Sequence, residues 1–196
     1  MNQPPSHLPT LKRTPSLGLS MWYMGNVLTN LVEKKDNNGA FSLLEATLVP
    51  GNEPPPHVRS REDELFYVLE GEFDVYVGEE AFNLNTGESI FLPKLKPHAF
   101  VIRSPLLRVL VLFTPGGLEE AFSKMSSPAQ NLEPPVEALT THSQSDLKQT
   151  AQRFIEYGLR FLTPDEVVDQ LPLYPKSLSQ NAQEATGAGL RAEGEN

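Results

Sequence analysis

Between residues 64 and 117 the chain breaks into six short runs: "ELFYVLEG", "EFDVYVGEE", "AFNLNTGES", "IFLPK", "HAFVIRS" and "LLRVLVLFTPGG". Each is apolar or alternating, and each is bounded by Gly, Pro, Asn or Ser. Many short strands at this spacing, with turn residues at every boundary, are the pattern of an all-β sandwich or barrel. Upstream, "LSMWYMGNVLTNLVEKK" and "AFSLLEATLV" add two more strand-like stretches. The tetrapeptide "DNNG" between them is a turn signal, because Asn and Gly accept positive φ.

After "TPGG" the period changes. "GLEEAFSKM" and "SDLKQTAQRFIEYGLRF" have helical spacing, with Leu147, Ala151, Phe154 and Ile155 near one face and Ser145 as a cap. "TPDEVVDQL" reads as a further helix, with Thr163 as cap, Pro164 in the first turn and Glu166 completing a capping box. The expected layout is a flexible Pro- and Ser-rich arm over 1–17, a β-barrel domain over 18–116, a helical C-terminal extension over 117–175 and a disordered tail over 176–196.

At 196 residues the chain is long enough for one domain with a sizeable core. Its net charge of −9 argues against a nucleic-acid partner, which would need a basic stripe to neutralise phosphates. It has no cysteine, which excludes disulfides and thiolate metal sites and fits a reducing compartment. The N-terminal stretch lacks the apolar core of a secretory signal, and no segment reaches the roughly 18–20 apolar residues of a membrane span. The expectation is a cytoplasmic protein without a membrane partner.

Two of the four histidines, His57 and His98, lie in the strand-rich middle; His7 and His142 lie in polar flanks. Side chains alternate along a strand, so His57 and Arg59 share a face, as do Glu64, Phe66 and Val68, and as do His98, Phe100 and Ile102. If these faces point into a barrel, two imidazoles and one carboxylate converge among apolar neighbours. Two His and one carboxylate with open positions suit Fe(II), and Mn, Ni, Zn or Co can use the same donors.

The spacing resembles the cupin superfamily. Its first motif, G-x5-H-x-H-x3,4-E-x6-G, matches Gly51, His57, Glu64 and Gly71, with Arg59 where the second His is expected. Its second, G-x5-P-x-G-x2-H-x3-N, matches Gly87, Pro93 and His98, with Leu95 in place of Gly and Ile102 in place of Asn. The flanks around these motifs look like single-domain cupins related to quercetin 2,3-dioxygenase. The resemblance implies an all-β jelly-roll barrel of six or more strands with a short C-terminal helical appendage, commonly a homodimer. It also implies one divalent transition metal per chain on His57, Glu64 and His98.

Arginine cannot ligate a cation. A guanidinium ~5 Å from a divalent ion repels it by several kcal/mol at an effective dielectric near 20. Two arrangements follow. Arg59 can point into the pocket above a three-ligand metal and grip an anionic or enolate oxygen of the ligand. Alternatively, it can pair with Glu64, and the pair replaces the ion.

The first arrangement implies a quercetinase-like dioxygenase of a small aromatic or enol substrate. Glu64 would act as base, and Phe66, Val68, Phe91, Phe100 and Ile102 would line the pocket. The second implies a metal-free small-molecule binder, with Arg59 paired to Glu64 or anchoring an anionic ligand. A sugar isomerase or epimerase is a third reading that this fold accommodates. Trp22, Tyr23 and Met24 are expected in an arm or interface cluster, Tyr67 and Tyr76 in wall packing, and Lys94 and Lys96 on a solvated loop at the barrel mouth.

Overall fold

The computed structural model describes residues 8–135 and 151–179. Its strands begin with β1 (Ser20–Tyr23), β2 (Asn26–Val32), β3 (Ser42–Leu48) and β4 (His57–Arg59). There follow β5 (Asp63–Glu70), β6 (Glu72–Val77), β7 (Glu80–Asn85) and β8 (Ser89–Leu92). The last are β9 (His98–Ile102), β10 (Leu107–Thr114), β11 (Ser127–Pro128) and β12 (Leu159–Phe161). They form two antiparallel sheets, ordered β11-β1-β2-β3-β10-β5-β8 and β12-β4-β9-β6-β7. This is the all-β jelly-roll architecture expected from the alternating runs.

The alternation that predicts the strands also orients them. β3 and β10 bury every second residue, placing Leu44, Ala46 and Leu48 beside Val109, Val111 and Phe113. Tight turns set the hairpins. Met24 and Gly25 both take positive φ (48° and 75°), the requirement of a two-residue turn between β1 and β2. Asn38 and Gly39 do the same in "DNNG". Gly71 has φ 95°, and a Cβ there would lie 2.4 Å from the Leu106 carbonyl oxygen, so the β5–β6 corner requires glycine.

The arm is held where it is described: Arg13 Nη1 and Nη2 reach the Asp36 carboxylate at 2.6 and 3.1 Å, which holds that carboxyl below its ordinary range. Residues 1–7 and 180–196, Ser145, Leu147 and His142 lie outside the described residues.

The C-terminal extension differs from a purely helical appendage. It holds α1 (Leu118–Met125), helical residues 151–156 (α2), α3 (Pro164–Gln170) and α4 (Lys176–Ser179). The α3 capping box forms as expected, with the Thr163 hydroxyl accepting from the Glu166 N–H. However, β11 and β12 extend the two sheets, and the stretch "LRF", expected to continue a helix, is strand β12. Gly158, at φ 86°, stops the helix, and its carbonyl accepts from the Ser60 N–H at 2.8 Å, turning the chain onto β4. Ile155, expected on the apolar face, is half exposed.

The extension also explains why β9 is buried at all five positions. Leu162, Val167 and Leu171 pack on Ala99 at the outer face of β9 while Phe100 and Ile102 face the interior. Among the described residues no helix is long and apolar enough to cross a membrane.

Candidate functional site: a buried guanidinium among two histidines and a glutamate

β4 buries His57 and Arg59 and turns Val58 outward, as the two-residue period requires. His57 lies opposite His98 on β9 and opposite Phe161 on β12, with ring centroids 4.4 and 6.3 Å away. Glu64 enters from β5 in the other sheet, at the register position between Phe113 and Leu92. The four polar residues are each at most 5% exposed, so the sequence places His57, Arg59, Glu64 and His98 together inside the barrel.

Arg59 organises the group. Its Nη2 donates to Glu64 Oε1 at 2.9 Å, and its Nη1 donates both to Glu64 Oε2 and to His98 Nε2, the latter at 2.8 Å. The guanidinium carbon lies 5.1 Å from the centroid of the Phe113 ring. This fork-to-fork pair bridges the two sheets, and its charge assistance makes it strong in a dry interior.

The histidines are fixed by carbonyls. Nδ1 of His57 donates to Pro55 O at 2.8 Å, and Nδ1 of His98 donates to Lys96 O at 3.0 Å. A carbonyl only accepts, so in each neutral ring Nε2 carries the lone pair. That of His98 is taken by Arg59, which makes its 3.5 Å approach to Glu64 Oε2 a shared contact with one guanidinium nitrogen rather than an ion pair. That of His57 has no partner, and neither has Arg59 Nε. Burial first, then the proximity of His98 and Arg59, holds the His57 imidazole well below its ordinary protonation range.

These donors do not fit a divalent ion while Arg59 stays in place. An ion on Glu64 and His98 would sit ~2.0–2.2 Å from their donor atoms, the space that Nη1 fills. Both Glu64 oxygens and His98 Nε2 are already hydrogen-bonded to a group that never loses its charge. Of the three expected ligands only His57 has its donor atom unengaged by Arg59. Among the described residues no group of three or more His, Asp or Glu is arranged to hold an ion.

Beside this polar group lies an apolar cavity of about 90 Å³. Of the expected lining residues, Arg59, Phe66 and Phe100 line it. Val68 and Ile102 are buried in the core cluster but do not reach it, and His98 stands behind Arg59. Phe91 is on the outside, 57% exposed: β8 pairs Phe91 with outward Leu65 and puts Leu92 opposite Glu64, so Leu92 takes the inward position.

Sequence reasoning missed Tyr23, Met24, Phe113, Phe154, Leu159 and Phe161 in the wall. The alternation of β10 carried the signal for Phe113, whereas the helical period before Gly158 masked Leu159 and Phe161. Tyr23 and Met24 line the cavity, and burial pushes the Tyr23 phenol well above its ordinary range. Tyr67 is largely exposed, and Tyr76 packs edge-on against Tyr174 at 5.4 Å.

Residues 44–114 match the family described as Cupin_2, the cupin domain. Quercetin 2,3-dioxygenase of Bacillus subtilis (strain 168) is 23% identical over 95 residues, which are 48% of this chain and 28% of that protein. The chain therefore spans little more than a quarter of that relative. Among solved structures, KdgF from a Halomonas species aligns with a TM-score of 0.44 and 23% identity, over 49% of this chain and 85% of that one. The polyketide cyclase RemF from Streptomyces resistomycificus aligns with a TM-score of 0.45 and 27% identity, over 54% and 80%. The family match runs from Leu44 on β3 to Thr114 at the end of β10, so the part of the chain that is similar to the cupin domain is the part that carries His57, Glu64 and His98.

Proposed function

We propose that this cupin is a binding module for a small, largely apolar molecule, with the Arg59–Glu64 pair standing where a metal ion would otherwise draw the same donors together. The observation that carries this reading is the double engagement of Arg59, bidentate on Glu64 and bonded to His98 Nε2. A quercetinase-like dioxygenase would need Arg59 to leave both partners before any ion could reach them. A sugar isomerase would need hydrogen-bond partners for several hydroxyls, and the cavity wall is mostly Phe, Leu, Val and Ala. Within the binding reading the residues have distinct roles. Phe66 and Phe100 supply apolar contact, Glu64 holds the guanidinium, and His57 faces the guest with a free lone pair.

Elemental analysis tests this directly. Protein purified without chelator should carry transition metal far below one ion per chain, unchanged after incubation with Fe, Mn, Ni, Zn or Co. Arg59→His should raise the uptake towards one ion per chain, because it restores a third imidazole and frees Glu64 and His98. A wild-type protein holding close to one ion per chain, removable by chelation, would overturn the reading.

A further inference from the structure

Two polar atoms beside the cavity have no partner, and they are complementary. His57 Nε2 can only accept a hydrogen bond, and Arg59 Nε can only donate one. Both residues line the cavity, and His57 is only 1% exposed. They stand two positions apart on the same face of β4, roughly 6.6 Å along the strand. A hydroxyl meets an unpartnered acceptor such as His57 Nε2 through its O–H, with an ordinary hydrogen bond of roughly 2.8–3.0 Å.

Charge narrows the class further. The guanidinium charge is balanced by Glu64, and the rings of His57 and His98 are neutral. A carboxylate entering this wall of Phe66, Phe100, Phe113 and Leu44 would lose its water and meet no unbalanced cation. Arg59, held by Glu64, does not serve as an anion anchor.

We infer that the cavity recognises an uncharged hydroxy compound with a small apolar body, such as a phenol or enol, whose O–H donates to His57 Nε2. This rests on the metal-free reading above. The cavity of about 90 Å³ is smaller than the ~150 Å³ of an engineered apolar cavity that takes benzene, so a single ring is the upper limit unless a wall moves. The C-terminal extension contributes Phe154 of α2 and Leu159 and Phe161 of β12 to the wall, beside Phe122 of α1.

Calorimetric titration of the full-length protein with phenol, anisole, toluene and benzoate tests this, with metal content measured on the same preparation. Phenol should bind roughly tenfold more tightly than anisole or toluene, because a buried acceptor left unmet costs about that much. Benzoate should bind most weakly. His57→Leu should abolish the preference for phenol over toluene.

Should that variant fail to fold, the ¹⁵N signal of His57 Nε2 in the wild-type protein gives an independent readout. It should move upfield on adding phenol and stay in place on adding toluene. Equal binding of phenol, anisole and toluene, benzoate binding as well as phenol, or an unmoved His57 signal would each overturn the inference. Absence of binding by all four in metal-free protein would also overturn it while leaving the metal-free reading standing. Stoichiometric metal, with phenol binding lost on chelation, would instead overturn the metal-free reading beneath it.

Discussion

One part of the barrel interior is solid, and in another a buried polar group borders an apolar cavity. In the solid part Phe66, Phe73 and Phe100 meet edge to face with centroids 5.7–5.8 Å apart, and Val68, Val75 and Ile102 complete the same buried cluster. In the other part the two sheets are joined across a cavity by Arg59 and Glu64, with His57 and His98 against them. The solid part is held by additive apolar contact, where trimming a side chain removes contact and leaves a void. The polar part is all-or-none, because neither charge tolerates burial without the other.

The largest expected effect follows from that contrast. Glu64→Ala leaves the guanidinium buried with no counter-charge and should destabilise the fold by about 3–5 kcal/mol. Phe73→Ala, fully buried in the solid part, should cost a similar ~3–5 kcal/mol. The two losses differ in how they are repaired. Adding Arg59→Met to Glu64→Leu should restore stability to the wild-type level or exceed it by about 1–4 kcal/mol, since an apolar pair of similar volume needs no desolvation. Shortening Phe66 beside Phe73→Ala should deepen the loss. Urea unfolding of the four variants decides it, and a Glu64 variant no weaker than wild type would dissolve the distinction between the two parts.

The solid part is also the legible one. Its strands announce themselves through strict alternation, and Phe66, Phe100, Val68 and Ile102 follow from that period as inward residues. The same period correctly turns His57, Arg59 and Glu64 inward. What Arg59 does there was open, since a side chain that long reaches either a guest or Glu64, and the choice depends on the distance between two sheets. Phe91 was misplaced because in the run "SIFLP" either parity is apolar, and only the register with β5 decides that Leu92 faces in. The C-terminal part of the wall was illegible for a different reason. Leu159 and Phe161 sit 100 and 104 residues beyond the β4 residues they pair with, and the helical period before Gly158 masks a three-residue strand.

The titration of His57 sharpens the comparison next. Its ring is held neutral by burial in the polar part, below the ordinary value of 6.5, so the unfolded chain binds the proton first as pH falls. Stability from this group is fully present above about pH 6.5 and declines as pH drops below it towards the depressed folded value. Thermal midpoints measured from pH 7 to pH 5 should therefore fall more steeply in wild type than in His57→Gln. Parallel curves would mean that His57 is not sealed in the way described. Substitutions in the solid part, which titrate nothing, should leave the slope unchanged.

The smallest expected effect lies just outside both parts, on the loop that carries His98. Leu95 stands where the cupin motif has glycine, and it keeps the left-handed backbone that glycine would adopt, at φ 66°. Its side chain is 67% exposed, so it gains little packing to offset the strain of a Cβ in that region. Its N–H donates to Arg59 O at 2.7 Å, which ties the loop to the strand bearing the guanidinium and holds the unfavourable φ in place. Leu95→Gly removes strain of about 1–2 kcal/mol but adds freedom to the unfolded chain worth about 0.4–1 kcal/mol. The net change should be a gain of about 1 kcal/mol or less, visible as a small rise in the urea midpoint. A loss instead would show that Leu95 contributes packing which offsets the strain of its backbone.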